Sequence, residues 1–220
     1  MSFSSKEKWE FERKAWARGF NYVAGVDEAG RGPIAGPIVA AAVVLREDIK
    51  GLDDSKRLSV RKREELFDIL INGENDIGVS VVPPSIIDSI GIQMANYMAM
   101  TEAVFNLKKK PDLVLVDGYK LEGLPCEVWR IIKGDRISAS IGAASIVAKV
   151  TRDRIMNQMD AIYPGYGFAK HKGYATKEHL VALEKLGPSP IHRFSFAPLS
   201  ESFCGELFYQ SKFRRDLSDV

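Results

Sequence analysis

Four carboxylates stand at the ends of apolar segments in this chain. Asp27-Glu28 directly follows Tyr22-Val-Ala-Gly-Val26, and Asp117 directly follows Leu113-Val-Leu-Val116. Asp135 follows Val128-Trp-Arg-Ile-Ile-Lys-Gly134, 18 residues after Asp117. A carboxylate beside a buried strand is costly unless something cationic shares the site. Several strand ends in one sheet can gather such groups, as at the crevices where open α/β sheets bind ligands. Four gathered acids repel one another unless divalent metal balances them, and oxygen donors without histidine favour Mg²⁺ or Mn²⁺ over Zn²⁺. Taken singly, each acid is more often a turn former or a surface charge. Asp117-Gly118 is a turn dipeptide, and Asp53-Asp54 and Asp88 are read as turn or surface acids. Repetition of one pattern (apolar run, acid, nearby glycine) sets the four apart and predicts a metal–carboxylate centre.

A glycine-rich stretch, Gly30-Arg-Gly-Pro-Ile-Ala-Gly36, comes immediately after the first acidic pair. It misses the dinucleotide fingerprint by one residue and lacks the ending of a P-loop. Two readings stand side by side: a turn whose bare backbone admits a ligand, or a plain connection between strands. Basic residues cluster at Asp54-Ser-Lys-Arg57 and at Lys170-His-Lys-Gly-Tyr174, the latter preceded by Tyr163, Tyr166 and Phe168. Lysines interleaved with aromatics suit a nucleic-acid track, with a solvated loop as the competing reading. His171, His179 and His192 show no ligand spacing, so no zinc is assigned.

The elements that would position these residues follow from periodicity. A charged amphipathic helix is read over 6–19 and strands over 22–26, 37–45, 77–82, 113–116 and 128–132. Ser59 caps a helix over 60–71 that Asn72-Gly73 stops, Pro83-Pro84 closes the third strand, and another helix spans 92–107. Residues 137–161 are helical, and Thr176 caps a helix over 177–186 ended by Gly187-Pro188. Strands interleaved with helices predict an α/β fold around one mixed sheet. Residues 1–200 are read as one catalytic domain and 201–220 as a helical tail packed on it.

Composition excludes several classes. In 220 residues, Lys and Arg number 31 against 29 Asp and Glu, a near-balance that rules out a histone-like polycation and confines any nucleic-acid contact to a local surface. Two distant cysteines, Cys126 and Cys204, argue against a disulfide framework and for a reducing compartment. No signal-peptide pattern opens the chain, and the longest apolar run, Ile38 to Leu45, is far short of the ~20 residues of a membrane helix. The expectation is a cytoplasmic monomer with no membrane partner.

These residues resemble the type 2 ribonucleases H, the bacterial ribonuclease HII form in particular. The resemblance runs from about Tyr22 to Pro198 and rests on VAGVDEAGRGPIAGPIVAAAVVL (23–45), LDDSKRLS (52–59), LVLVDG (113–118), KGDRISASIGAASIVAKVTRDR (133–154), YPGYGFAKHKGYATKEH (163–179) and PIHRFSFAP (190–198). It implies a ribonuclease H-like fold, a mixed five-stranded sheet flanked by helices. The implied metal ligands are Asp27, Glu28, Asp117 and Asp135, the four that strand-end position selects. The implied reaction is metal-dependent hydrolysis of the phosphodiester 5′ to a ribonucleotide, leaving 3′-OH and 5′-phosphate ends. RNA–DNA hybrids and single ribonucleotides embedded in duplex DNA are the implied substrates, and ribonucleotide excision repair the implied task.

Two-metal catalysis is the chemistry this implies, with a site that forms fully only when substrate is present. Discrimination of RNA requires reading one 2′-OH. The backbone of Gly30, Arg31 and Gly32 is expected to reach that sugar, and the resemblance gives Tyr174 the partner role at the ribonucleotide–deoxynucleotide junction. Ser55 and Lys56 are expected to contact phosphate, with Ser145, Lys149, Arg152, Lys172 and Arg193 as further candidates. The small residues Gly142-Ala-Ala144 are read as a packing surface toward the sheet. A sliding-clamp motif is not assignable in the tail. Two competing functions remain open here: a metal nuclease indifferent to ribose, and a noncatalytic hybrid-binding module.

Overall fold

A computed structural model describes residues 8–52 and 55–200. Five strands form one mixed sheet in the order β3-β2-β1-β4-β5. They are β1 (Val23–Ala29), β2 (Ile38–Val44), β3 (Asp76–Val82), β4 (Leu113–Asp117) and β5 (Glu127–Ile131). β1 to β3 are antiparallel neighbours, whereas β4 and β5 run parallel to β1. β1, β2 and the apolar part of β4 are buried without alternation, the signature of strands covered on both faces.

The helices are α1 (Glu10–Ala17), α2 (Val60–Asn72), α3 (Pro84–Ile90), α4 (Ile92–Phe105), α5 (Gly134–Ile137), α6 (Ala139–Ile162), α7 (Phe168–His171) and α8 (Lys177–Leu186). Against one face of the sheet, Ala95, Ala99, Met100 and Ala103 of α4 pack on Ala24, Val26, Ala40, Ala42, Val114 and Val116. On the other, Ala143, Ala144, Ile146 and Val147 of α6 and Leu66 and Leu70 of α2 pack on Ala41 and Val43. α6 lies very close to β1. A methyl group on Gly25 would stand 2.2 Å from the backbone of Ser140 and Ile141, so glycine is required there for helix and strand to meet.

Several expectations are refined by the coordinates. β1 does not stop at Val26 but continues through Asp27-Glu28 to Ala29, so the acids are strand residues rather than loop residues. Pro83-Pro84 does not merely close a strand. Pro84 opens α3 as its first residue, where its missing N–H is harmless. The helical stretch expected over 137–161 begins at Ala139, where the Ser138 hydroxyl accepts from the Ile141 amide. Asp135 lies apart from the end of β5, on the single turn α5. Gly142 faces the carbonyl of Asp135, which a methyl group there would approach to 3.1 Å. Its small size therefore makes room for the turn that carries Asp135, while Ala143 and Ala144 do pack toward the sheet.

The N-terminal helix is anchored through a buried carboxylate. Glu12 Oε1 accepts from the Ser138 hydroxyl at 2.6 Å and the Ser140 amide at 3.0 Å, placing a negative charge at the N-terminus of α6. Among the described residues, no helix is long and apolar enough to cross a membrane. The tail expected after residue 200 lies outside the described residues, as do Asp53, Asp54 and Cys204.

Candidate active site

Parallel pairing of β1 and β4 places Val26 beside Val116, so the next residues, Asp27 and Asp117, are neighbours at the same end of the sheet. Asp117 is in turn opposite Ile131 of β5. From there the chain turns back through Lys133, in the left-handed region with φ 58°, into α5. The Gly134 amide donates to Asp117 Oδ1 at 2.7 Å, which brings Asp135 into the residue next to a direct Asp117 contact. Asp27 and Asp117 thus lie side by side at one end of the sheet, and the chain carries Asp135 one residue beyond the Gly134 amide that contacts Asp117.

Burial and mutual repulsion dominate the electrostatics. Asp27 is only 7% exposed, and burial holds its carboxyl well above the usual carboxylate range. The charges of Glu28 and Asp117 push it the same way, against the Glu28 amide, which donates at 2.8 Å, and the Ser145 hydroxyl. Burial also raises Glu28; Asp117 adds to that, while Arg31 and Lys56 pull it down. Among the described residues no three acids, histidines or cysteines are already drawn close enough to grip an ion. The donors are all oxygen, however, and their shared repulsion is what a hard divalent cation relieves.

The other expected contacts divide into two groups. Lys56 is exposed and its charge reaches Glu28. Lys149 pairs with Asp153 at 2.7 Å. Lys172 Nζ donates to the Ala169 carbonyl at 2.6 Å and to the Asn157 side chain, and burial holds its ammonium below the usual lysine value. These lysines stay within reach of solvent. Ser55 and Ser145 are instead buried and share a 2.8 Å hydrogen bond between their hydroxyls, which stacks them behind Asp27 rather than presenting them to phosphate.

Arg152 and Arg193 correct the expectation of phosphate contacts. They are 1% and 0% exposed. Arg193 donates to the carbonyls of Gly36 (Nε, 2.9 Å; Nη2, 2.7 Å), Gly30 (Nη2, 2.6 Å) and Arg31 (Nη1, 3.0 Å). Arg152 donates to Pro37 at 2.9 Å, Ala35 at 3.1 Å and Lys172 at 3.0 Å. Both guanidinium groups are buried against backbone carbonyls, that of Arg193 in the glycine-rich loop and that of Arg152 at Ala35, Pro37 and Lys172, rather than turned out toward a substrate phosphate. Burial lowers both, Arg193 to about 9. Gly30 has φ 98°, and a methyl group on it would stand 2.1 Å from Arg152 Nε, so glycine is required at the point where the arginines grip.

The ribose-facing candidates do come together. Gly32 is exposed, and a methyl group on it would stand 3.7 Å from Cε1 of Tyr174, itself 46% exposed. Arg31 lies 3.8 Å from Glu28 Oε1, with its guanidinium 5.0 Å above the Tyr119 ring. Tyr119 was not among the expected residues, and only its place one residue beyond Asp117-Gly118 hints at it.

Sequence spacing also missed a buried histidine cluster under Tyr174. His171 and His179 stack at 4.2 Å, and His179 and His192 lie 5.2 Å apart beside Phe168. Their wide spacing excludes zinc only in sequence terms and gave no sign that the three would meet. Burial lowers His179 and His192 from 6.5 to about 4. The unfolded chain therefore binds more protons than the folded one between about pH 4 and 6.5. Stability is complete above that window and is lost as pH falls through it. Chemical denaturation between pH 4 and 7 should show this slope, shallower in His192→Asn; equal slopes would contradict it.

Comparison with known proteins gives a consistent result. A family model described as Ribonuclease HII matches residues 24–199. A ribonuclease HII of Acetivibrio thermocellus is 52% identical over 188 residues, covering 84% of this chain and 73% of that protein. One of Geobacter sulfurreducens is 51% identical over 195 residues, covering 88% and 90%. The crystal structure of a ribonuclease H2 from Pyrococcus horikoshii superposes with TM-score 0.70 at 30% identity, covering 82% of this chain and 96% of that one.

Proposed function

The chain belongs to the ribonuclease HII family and is a ribonuclease H, and from that membership we propose that it cuts the phosphodiester 5′ to a ribonucleotide, both in RNA–DNA hybrids and at single ribonucleotides in duplex DNA. The carrying observation is that one end of the sheet holds Asp27 beside Asp117, with Gly32, in the turn that follows Glu28, facing Tyr174. A scissile phosphate and the ribose next to it need such a pair of neighbouring sites. Ribonucleotide excision repair is the task these substrates imply.

Asp27, Glu28, Asp117 and Asp135 would hold Mg²⁺ or Mn²⁺. Two such ions, when bound, would supply a lowered pKa for the attacking water and positive charge to balance the transition state. The chain supplies the rest. Gly134 fixes one oxygen of Asp117, and the Glu28 amide and Ser145 fix Asp27, so the acids keep their orientation before anything binds. Arg193 holds the carbonyls of Gly30 and Arg31 inward, which sets the backbone of the 30–32 turn to meet a sugar 2′-OH. Tyr174 closes the gap against Gly32 and packs on the following sugar. Lys56, Lys149 and Lys172 give the phosphate backbone its cations, and water remains the nucleophile.

Tyr174→Ala should cut the rate on a single embedded ribonucleotide by about 10-fold or more while a continuous hybrid suffers much less, on the scale of one lost stacking contact. Cleavage of matched duplexes with and without one ribonucleotide checks the reading. A uniform loss across substrates would give Tyr174 a packing role, and equal cutting of the all-DNA duplex would replace ribose reading with a general metal nuclease.

A further inference from the structure

Tyr174 is held by its backbone, and the groups that hold it form a chain of neutral hydrogen bonds running to the far side of the glycine-rich loop. His179 Nδ1 lies 2.8 Å from the Tyr174 carbonyl. A carbonyl only accepts, so Nδ1 carries the proton and the Nε2 of a neutral His179 is bare. His192 Nε2 lies 3.0 Å from that bare nitrogen and must donate to it. His192 Nδ1 is then left as an acceptor, and the Ser189 amide, which can only donate, points at it from 2.9 Å. The Tyr174 carbonyl fixes one end of the chain, and at the other the Ser189 amide agrees with the tautomers it sets, with the Ser189 hydroxyl at 2.8 Å and the Ser189 carbonyl at 3.3 Å also beside His192 Nδ1. A proton on His179 would set two N–H groups against each other at 3.0 Å, and one on His192 would set its Nδ1–H against the Ser189 amide at 2.9 Å.

His192 also ties this chain to the loop. It forms the strand-like pair with Ala35, and its neighbour Arg193 grips Gly30, Arg31 and Gly36. On the other side of Tyr174, His171 Nδ1 accepts from the Gly173 amide at 3.2 Å, and the Gly173 carbonyl accepts from the Ile34 amide at 2.9 Å. The exposed ring of Tyr174 thus stands on a buried frame shared with the turn it faces.

We propose that His179 and His192 are positioning residues for ribose selection, acting through the Tyr174 backbone to set its ring against the Gly30–Gly32 turn. This rests on the role given to Tyr174 above. Asparagine at 179 can place an amide N–H where Nδ1 stands, whereas glutamine places it at Nε2 and leaves the Tyr174 carbonyl without a donor. The readout is the ratio of kcat/KM on a single-ribonucleotide duplex to that on a continuous hybrid. That ratio should fall about 10-fold in His179→Gln, stay within about 2-fold in His179→Asn, and fall no further in Tyr174→Ala/His179→Gln than in Tyr174→Ala alone.

If Tyr174→Ala leaves the ratio unchanged, the reading of Tyr174 itself fails. If Tyr174→Ala lowers it and His179→Gln does not, or the double variant falls further, the positioning role is overturned and the Tyr174 reading stands. Long-range ¹H–¹⁵N correlation on the wild-type protein at pH 7 tests the same point without a variant. It should find His179 protonated at Nδ1 and His192 at Nε2, both neutral. The opposite tautomers, or a charged ring, would overturn the proposal.

Discussion

Asp27→Asn is expected to lose at least about 10³-fold in kcat while duplex binding stays within a few-fold, the pattern of a group needed in the transition state and little in the ground state. Asparagine keeps the size of the side chain and can still accept from the Glu28 amide. What it removes is the charge, and with it the strongest reason for a cation to enter. Asp117→Asn should behave the same way, because Gly134 orients its Oδ1 but cannot replace the lost anion. Without metal, the Asp27→Asn protein should also melt higher than wild type. Burial first, and then the charges of Glu28 and Asp117, disfavour the ionised form of the wild-type carboxyl when no cation is bound. Single-turnover cleavage, duplex binding and metal-free thermal melts check the three effects. Retained turnover in Asp27→Asn would remove Asp27 from the chemistry.

Arg193→Ala is the second large effect, and it acts on the fold of the loop. The side chain is fully buried and saturates the carbonyls of Gly30, Arg31 and Gly36. Truncation leaves those carbonyls without donors and opens a cavity beside Arg152. Losses of about 3–5 kcal/mol follow from breaking such a buried charged network. Arg193→Lys should recover little of this, since one ammonium cannot reproduce a planar fork spread over three carbonyls. Urea denaturation gives the number. A loss below about 1 kcal/mol would restore Arg193 to the surface role expected from its sequence.

The sheet and the place of Asp27, Glu28 and Asp117 on its strands were legible because each leaves a local mark. Leu113-Val-Leu-Val116 can only be a covered strand, and an acid at its end is conspicuous. Ser59, Thr176 and the glycines after their helices announced the helix boundaries for the same reason, since capping is a matter of a few adjacent residues. Arg152, Arg193 and the histidines were not legible in this way. Their partners lie 115 to 163 residues away for the arginines' grip on the loop, and 13 residues and a turn away between His179 and His192. A buried arginine and a phosphate-binding one have identical local sequence, and only tertiary packing decides between them. Asp135 stands between these cases. Its identity was readable, while its place on a separate turn depended on the left-handed Lys133 that no composition rule marks.

Anomalous diffraction from crystals grown with Mn²⁺ and a one-ribonucleotide duplex carrying a non-hydrolysable scissile linkage tests the centre most directly. Two peaks about 3.5–4 Å apart among Asp27, Glu28, Asp117 and Asp135, next to the scissile phosphate, are expected. Peaks bound elsewhere, or a phosphate seated away from Asp27 and the Gly32–Tyr174 gap, would contradict it.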